Sequence, residues 1–304
     1  MTRGVVLVIA MLFCACTVSA GAGLTTRETL LSCTAPKNGS VVDVLRDPLS
    51  RPRWPAAHRG DRDSGPDNTR AAFEAAIRAG VPLLETDVRV TTDGKLFLFH
   101  DHTLKKTNVS GPAELLGKNV TSLSSADVRQ LDSNFPPSNP PSPVLFFEDA
   151  LQIIARSNAA LQLDLKVTSD ELVGQLIGIA RKLGVAHQLV VQCQSIDELT
   201  RFKTQFPDIA VLARVRTPAE VEQALTYRPE IVFSDFGFFT PELIEHIHTQ
   251  GSKVGEKTMG FDTDTVEGWA ARFGAGVDIL MTDHATALSH FAQREICHSS
   301  SESH

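Results

Sequence analysis

The alternation of short apolar runs with helical patterns restricts what this chain can fold into more than any other feature of its sequence. Eight runs have the length and residue types of buried strands, and they are Trp54–His58, Leu83–Val90, Lys95–His100, Ala160–Val167, Leu189–Gln194, Ala210–Arg214, Glu230–Asp235 and Lys253–Thr258. Helical patterns lie between most of them, at Thr69–Ala79, Phe147–Ser157, Asp170–Leu183, Ile196–Phe206, Pro218–Tyr227, Pro241–Gln250 and Asp264–Arg272. This pattern predicts an α/β fold, a (β/α)8 TIM barrel in a single domain. An open doubly wound sheet is the alternative, but no glycine-rich turn follows the first run.

One long segment, 102–146, interrupts this alternation after the third predicted strand. It is polar and ends in the proline-rich stretch 135–143, which excludes a regular helix or a central strand there. A loop of this length in a compact domain is usually functional or mobile. We expect it to lie over the carboxyl-terminal mouth of the barrel, either as a lid or as a solvent-exposed excursion.

The amino terminus is typical of a secretion signal. Arg3 precedes the apolar run Val5–Phe13, and Val18–Ala20 supplies the small residues that a signal peptidase requires. The run is short for a membrane span, so we expect a secreted or periplasmic protein, with a lipoprotein or an uncleaved signal anchor as alternatives. The predicted organisation is a signal peptide at 1–20, an N-terminal extension at 21–50, the barrel at 51–297 and a tail at 298–304.

Cysteine usage fits an oxidising compartment. Cleavage after Ala20 would leave Cys33, Cys193 and Cys297, and an odd count there suggests one disulfide and one free thiol. Cys193 ends a run that we expect to be buried. A bridge between Cys33 and Cys297 would tie the two ends of the barrel domain together, and the alternative is that all three are reduced.

The overall charge argues against a nucleic-acid partner. The formal net charge is -7, and the chain has no stripe of lysines and arginines for phosphate contacts. A small anionic substrate stays possible, because a bound metal ion can supply the local positive charge.

Two carboxylates on the second run predict a metal site. Side chains alternate along a strand, so Glu85, Asp87 and Arg89 share one face, and Leu84 and Val88 share the other. Carboxylates that point into a barrel are costly unless something neutralises them. Arg89 could do so as an ion pair, but a hard divalent cation with oxygen ligands does it better.

Other polar residues fall at the ends of neighbouring runs. His58 and His100 end the first and third runs, where two imidazoles could serve as general base and general acid. On the fourth run, Asp164 is a candidate third carboxylate for the metal, and Lys166 could hold a phosphoryl oxygen, as Arg59 could from the first run. The alternative is a set of ion pairs with no ligand.

These motifs, in this order, resemble the glycerophosphodiester phosphodiesterase family. They are His58-Arg-Gly60, Pro66-Asp-Asn-Thr69, Glu85 to Gly94 and His100-Asp101, with weaker similarity at Leu163–Lys166, Gln194-Ser195 and Gly276–Asp283. The resemblance implies a (β/α)8 fold and Mg2+ or Ca2+ held by Glu85, Asp87 and Asp164. It also implies His58 and His100 as the catalytic pair, with Arg59 and Lys166 near the phosphate.

Two positions depart from the family pattern. Family members often carry Glu in place of Asp164, and they commonly carry Trp in place of Lys257. Lys257 points toward the mouth if Val254 faces the helices, which makes it a candidate substrate-binding residue. The Asp164-x-Lys166 form is also similar to sphingomyelinase D-like relatives, although no exposed amphipathic membrane stretch is evident.

The sequence therefore predicts a metal-dependent hydrolase that releases glycerol 3-phosphate and an alcohol from small glycerophosphodiesters. The metal would bind the phosphate and lower the pKa of the attacking hydroxyl. The alternative is a phospholipase D-like transferase that acts on lysophospholipid or sphingomyelin, with membrane contact and a cyclic phosphate product. A third possibility is a non-enzymatic protein that binds phosphate esters.

Overall fold

The structure is a computed structural model that describes residues 30–297, except 168, 236 and 261. The predicted signal peptide at 1–20 and the predicted tail at 298–304 lie outside the described residues. No helix in the described part of the chain is long and apolar enough to cross a membrane.

Parallel strands form a closed barrel, which confirms the predicted fold. In the described part of the chain eight strands take part: β1 Trp54–Ala57, β2 Leu83–Val90, β3 Ala160–Leu165, β4 Leu189–Cys193, β5 Ala210–Arg214, β6 Ile231–Ser234, β7 Lys253–Lys257 and β8 Ile279–Thr282. Each pairs in parallel with its neighbours in chain order, and β8 pairs with β1 to close the ring.

Helices cover the outside of this ring and its amino-terminal end, and one short helix, at 125–128, lies in the segment 102–146. They are α1 Val41–Arg46, α2 Arg70–Arg78, α3 Ser125–Val128, α4 Phe147–Ile154, α5 Asp170–Lys182, α6 Ile196–Gln205, α7 Pro218–Leu225, α8 Pro241–Thr249, α9 Val266–Gly274 and α10 Ala285–Phe291. Short 3₁₀ turns lie at Val120–Ser122 and Ala186–Gln188, and a π-helix at Ala292–Cys297 ends the described chain.

The third predicted strand is not part of the barrel, and this prediction was wrong. Leu96–Leu98 pairs antiparallel with the end of β2, with Val88 opposite Leu98. The two strands are joined by a tight turn that includes Asp93 and Gly94, whereas a parallel neighbour needs a crossover of a dozen or more residues. The eighth barrel strand is instead β8, so the long segment follows the second barrel strand rather than the third.

This long segment is a folded insertion with its own core. Three short strands, Val109–Ser110, Asp132–Ser133 and Ser142–Pro143, pair antiparallel in a small sheet. Apolar side chains from the insertion pack around Phe97 and Phe99 of the hairpin. Burial of this second cluster fixes the insertion against the hairpin that leads to His100.

The two faces of the barrel strands have separate roles. Leu84 and Val88, like Leu161 and Leu163, pack outward against the helices, as the alternation predicts. Leu96 and Leu98 of the hairpin strand join this outer cluster too.

The inner face is apolar at the amino-terminal end of the barrel. Trp54 and Leu83 fill this part of the interior, and Leu45 of α1 packs in the same cluster. A further pair of strands, Leu30–Ser32 and Ser50–Pro52, lies at this end. The polar inward side chains are therefore concentrated toward the carboxyl ends of the strands.

A disulfide between Cys33 and Cys297 links the two ends of the described chain, and Cys193 is buried and free. The expectation of one bridge and one free thiol is confirmed. Burial raises the pKa of the Cys193 thiol far above its ordinary value, as suits an inert core position.

Candidate active site

All of the residues that the sequence singles out for chemistry line one cavity of about 170 Å³ at the carboxyl ends of the strands. They are His58, Arg59, Glu85, Asp87, His100, Asp164, Lys166 and Lys257. Gln192, Arg214 and Asp235 also reach this cavity. Active sites of (β/α)8 enzymes lie at this end of the barrel.

The three carboxylates form a cluster that fits a divalent cation. One oxygen from each of Glu85, Asp87 and Asp164 lies within 4.8 Å of the others. The parallel register of β2 and β3 places Asp87 directly beside Asp164. All three side chains are buried, and burial, with the charges of Asp87 and Asp164, raises the pKa of Glu85 well above its ordinary value. Carboxylates this close repel unless a cation neutralises them, and Mg2+ or Ca2+ is suited to such oxygen donors.

Two side-chain cations border the triad. Lys166 Nζ lies 3.2 Å from Asp87 Oδ1 and 2.5 Å from Asp164 Oδ2. Arg59 Nε lies 3.2 Å from Asp87 Oδ2, and the backbone N–H of Arg59 donates to Glu85 Oε2 at 3.0 Å. Burial alone would raise the pKa of Asp87, but the charges of Arg59 and Lys166 outweigh it and lower the pKa. The protonation of the carboxylates in the site therefore depends on the charges of the neighbouring Arg59 and Lys166.

Each candidate catalytic histidine is held by a carboxylate at Nδ1. His58 Nδ1 lies 2.7 Å from Asp283 Oδ1, and Arg62 forms an ion pair with the same carboxylate. His100 Nδ1 lies 2.8 Å from Asp101 Oδ1. A carboxylate at Nδ1 fixes the ring and leaves Nε2 for proton transfer.

Burial sets the charge of His58. It lowers the pKa of His58, and the nearby charge of Arg59 acts in the same direction, although Asp283 opposes both. The net direction is downward, so His58 is neutral near pH 7. A neutral imidazole is the form that can accept a proton.

The turn at 66–69 positions Arg59 in a way that sequence reasoning missed. Asp67 accepts from Arg59 Nη1 at 2.9 Å and pairs with Arg62 Nε at 2.8 Å. Asn68 adopts a φ of 58° and donates to Asp87 Oδ2 at 3.3 Å. Asn adopts this left-handed conformation more readily than other side-chain-bearing residues, so the turn can present the Asn68 amide to Asp87.

Asp283 and Arg89 have roles that the sequence patterns did not assign. Asp283 directly follows β8, and the rule that functional residues follow barrel strands could have found it once that strand was recognised. Arg89 does not pair with the carboxylates of the triad among the described residues. Its guanidinium donates instead to the carbonyl oxygens of Phe99, at 2.8 Å, and His100. Arg89 therefore holds the backbone that carries His100.

The insertion contributes one wall of a second cavity, of about 280 Å³, which shares Arg59 and His100 with the first. Phe135 lines it, and the guanidinium carbon of Arg62 lies 4.9 Å from the centre of that ring. Asn108 also lines it and donates to Asp101, the partner of His100. The insertion thus borders the site directly.

Fold and site together define the class of this protein as a (β/α)8 barrel enzyme with its polar groups gathered at the carboxyl ends of the strands. Residues 58–287 match the model of the glycerophosphoryl diester phosphodiesterase family. The chain belongs to this family of phosphoric diester hydrolases.

Individual relatives agree with this assignment. The glycerophosphodiester phosphodiesterase of Caldanaerobacter subterraneus subsp. tengcongensis is 24% identical over 245 residues, which cover 78% of this chain and 97% of the relative. Glycerophosphodiester phosphodiesterase 1 of Mus musculus is 28% identical over 176 residues, which cover 57% of this chain and 48% of the relative. The solved structure of an Oleispira antarctica phosphodiesterase in complex with the product sn-glycerol-3-phosphate shares the fold, with a TM-score of 0.64 and 21% identity, over 79% of this chain and 96% of that one.

Proposed function

We propose that this enzyme hydrolyses glycerophosphodiesters to glycerol 3-phosphate and an alcohol, with His58 and His100 as its acid–base pair. The observation that carries the proposal is that both histidines, each held by a carboxylate at Nδ1, line the same cavity as the carboxylate triad. A phosphodiester needs a proton acceptor for the nucleophile, a proton donor for the leaving alcohol and positive charge for the phosphoryl oxygens.

The triad of Glu85, Asp87 and Asp164 would hold the divalent cation, Mg2+ or Ca2+. When bound, such an ion supplies positive charge to the phosphate and lowers the pKa of the attacking hydroxyl. Arg59 and Lys166 add fixed positive charge beside the triad and stabilise the charge that develops on the phosphoryl oxygens.

The two histidines divide the proton transfers. His58 is neutral and partly buried, which suits it to accept the proton of the attacking hydroxyl through Nε2. His100 is exposed at the mouth, where its protonated ring would donate a proton to the oxygen of the leaving alcohol. The nucleophile is water, or the neighbouring hydroxyl of the glycerol group with a cyclic phosphate as the first product.

The experiment is to measure glycerol 3-phosphate release from a panel of glycerophosphodiesters with Mg2+, Ca2+ or EDTA present. We expect release that EDTA abolishes and that His58→Ala lowers by at least about 100-fold. His246→Ala is the matched control, because His246 is a partly exposed histidine of α8 that pairs with Glu222, away from the cavity. Cyclic phosphate from intact lysophospholipid or sphingomyelin, with no release from any glycerophosphodiester, would instead identify a lipid transferase.

We also propose that the protein works outside the cytoplasm. The disulfide between Cys33 and Cys297 supports this, because such bonds persist in oxidising compartments. Expression of the full chain with amino-terminal sequencing of the exported protein tests it. A mature protein that begins after Ala20 is expected, and retention of the whole chain in the cytoplasm would contradict the proposal.

A further inference from the structure

The cations that line the active-site cavity differ in whether they have a carboxylate partner. Arg59 pairs with Asp67 and Asp87, and Lys166 pairs with Asp87 and Asp164. Arg214 forms an ion pair with Asp235, which directly follows β6. Lys257 alone among these cations has no carboxylate within ion-pair distance in the part of the chain that the structure describes.

The alternation along β7 points Lys257 into the cavity. Val254 packs outward in the cluster under the helices, and Glu256 pairs with Arg272 of α9 on the same side. Lys253, Gly255 and Lys257 therefore face the interior. A Cβ added at Gly255 would lie 2.8 Å from Phe233 Cδ2, so the layer beneath Lys257 is tightly packed.

The strand order places this cation across the barrel from the metal candidates. β7 and β3 are separated by three strands on either side of the ring, so Lys257 and Asp164 lie on opposite walls. Arg59 and Lys166 already provide positive charge at the carboxylate wall, where the phosphate would bind. Lys257 adds a separate positive charge on the far wall.

The surroundings of Lys257 do not favour an unpaired charge. Burial lowers the pKa of this amine and the positive charges of Arg214 and Arg59 lower it further, while the charges of Asp283 and Glu85 oppose this without reversing it. A partly buried ammonium group in such a place is stabilised when an anion from outside the protein binds beside it.

We propose that Lys257 selects glycerophosphodiesters whose alcohol carries a second anionic group, a carboxylate or a further phosphate. This inference rests on the proposed hydrolysis of glycerophosphodiesters. The second anion belongs to the alcohol, because the glycerol half of the substrate bears only hydroxyl groups besides the phosphate that is cleaved.

Two substrates that differ only in a carboxylate provide the test, namely glycerophosphoserine and glycerophosphoethanolamine. For the wild-type enzyme with Mg2+, we expect kcat/KM for the serine ester to be at least about tenfold higher than kcat/KM for the ethanolamine ester. This is the size of one charge-assisted contact. Lys257→Met, which keeps the length and removes the charge, should lower kcat/KM about tenfold more for the serine ester than for the ethanolamine ester. Lys257→Arg should keep the preference.

Lys182→Met, at an exposed lysine of α5, is the control for loss of a positive charge elsewhere. A melting temperature measured for each variant separates loss of contact from loss of fold, and Lys257→Gln replaces Lys257→Met if the latter is unstable. A glycerophosphodiester whose alcohol carries a phosphate group, used in place of the serine ester, shows whether a phosphate serves as well as a carboxylate.

Equal loss on both esters in Lys257→Met would overturn the inference, because Lys257 would then act on the phosphate they share. The absence of any preference in the wild-type enzyme would overturn it as well. If the wild-type enzyme cleaves neither ester nor any other glycerophosphodiester, the proposed function itself fails and the inference fails with it.

Discussion

At the scale of single residues, the site depends on carboxylates that act on histidines rather than on substrate. Asp283 holds His58 Nδ1 and is itself held by Arg62. Burial lowers the pKa of the His58 imidazole, and Asp283 raises it in opposition. Asp283 therefore determines the orientation of His58 and moderates its pKa.

Replacement of Asp283 by Asn should reveal this positioning role. A His58 that acts as base is active when neutral, so activity falls as pH drops through its pKa, which lies below the ordinary value of 6.5. Asp283→Asn removes a charge that raises this pKa, so the acidic limb of the kcat/KM profile should move to lower pH. We expect kcat to fall about 10- to 100-fold. A pH–rate profile with an unmoved or upward-shifted limb would contradict this account.

Glu85 illustrates the cost of the metal site. Burial and neighbouring carboxylates raise the pKa of Glu85, so the ionised form of Glu85 lowers the free energy of unfolding of the metal-free protein at pH 7. As pH falls through the raised pKa, Glu85 becomes protonated and this destabilisation disappears. Glu85→Gln should therefore raise the free energy of unfolding in EDTA by about 1 kcal/mol or more, while abolishing the stabilisation that Mg2+ or Ca2+ gives to the wild type. Urea denaturation with and without metal measures both effects. Destabilisation of the metal-free variant would show that Glu85 is structural.

At the scale of elements, β2 and the hairpin that follows it show what the sequence could and could not predict. Strand alternation correctly placed Glu85 and Asp87 inward and Leu84 outward. The same reasoning took Lys95–His100 for a barrel strand, because apolar content does not distinguish a parallel strand from a hairpin partner. The tight turn that includes Gly94 distinguishes the two, because it is too short to be the crossover between parallel strands.

Tertiary contacts account for the rest of what the sequence left open. Asp283, the partner of His58, and Asp87, one partner of Lys166, come from other parts of the barrel, and no spacing along the chain specifies such pairings. The pairing of His58 with Asp283 joins residues separated by 225 positions.

Arg89 offers a test of the hairpin as a positioning element. It donates to the carbonyl oxygens of Phe99 and His100, so it fixes the backbone from which His100 reaches the cavity. Arg89→Met should lower kcat about tenfold with little change in KM, because the metal triad and the cations stay in place. The expected cost in stability is about 1–3 kcal/mol for the buried carbonyl groups left unpaired. Steady-state kinetics with a thermal melt would check this, and an unchanged kcat would rule out the positioning role.

At the scale of the whole molecule, the barrel separates stability from chemistry. The disulfide joins Cys33 to Cys297 across 264 positions, and the neighbouring Ala35 bonds to the turn after α2 at the amino-terminal end of the barrel. The cavity lies at the opposite end. Changes at the disulfide should therefore affect folding without affecting turnover.

The double variant Cys33→Ser with Cys297→Ser tests this separation. Because the bridge closes a very long loop, its loss should lower the free energy of unfolding by about 2–5 kcal/mol. At temperatures where the variant stays folded, kcat should equal that of the wild type within about twofold. Urea unfolding and initial-rate assays at low temperature measure the two quantities. A large loss of kcat in the folded variant would show that the bridge also supports the site.

The central claim is that His58 and His100 carry out the proton transfers of phosphodiester cleavage beside a metal-binding triad. The most direct test is the rate of glycerol 3-phosphate release by His58→Ala, His100→Ala and the double variant, with metal present. We predict that each single change costs at least about 100-fold and that the double change costs little more, because the two residues act in one reaction. Turnover by the folded double variant at a rate near that of the wild type would contradict the account.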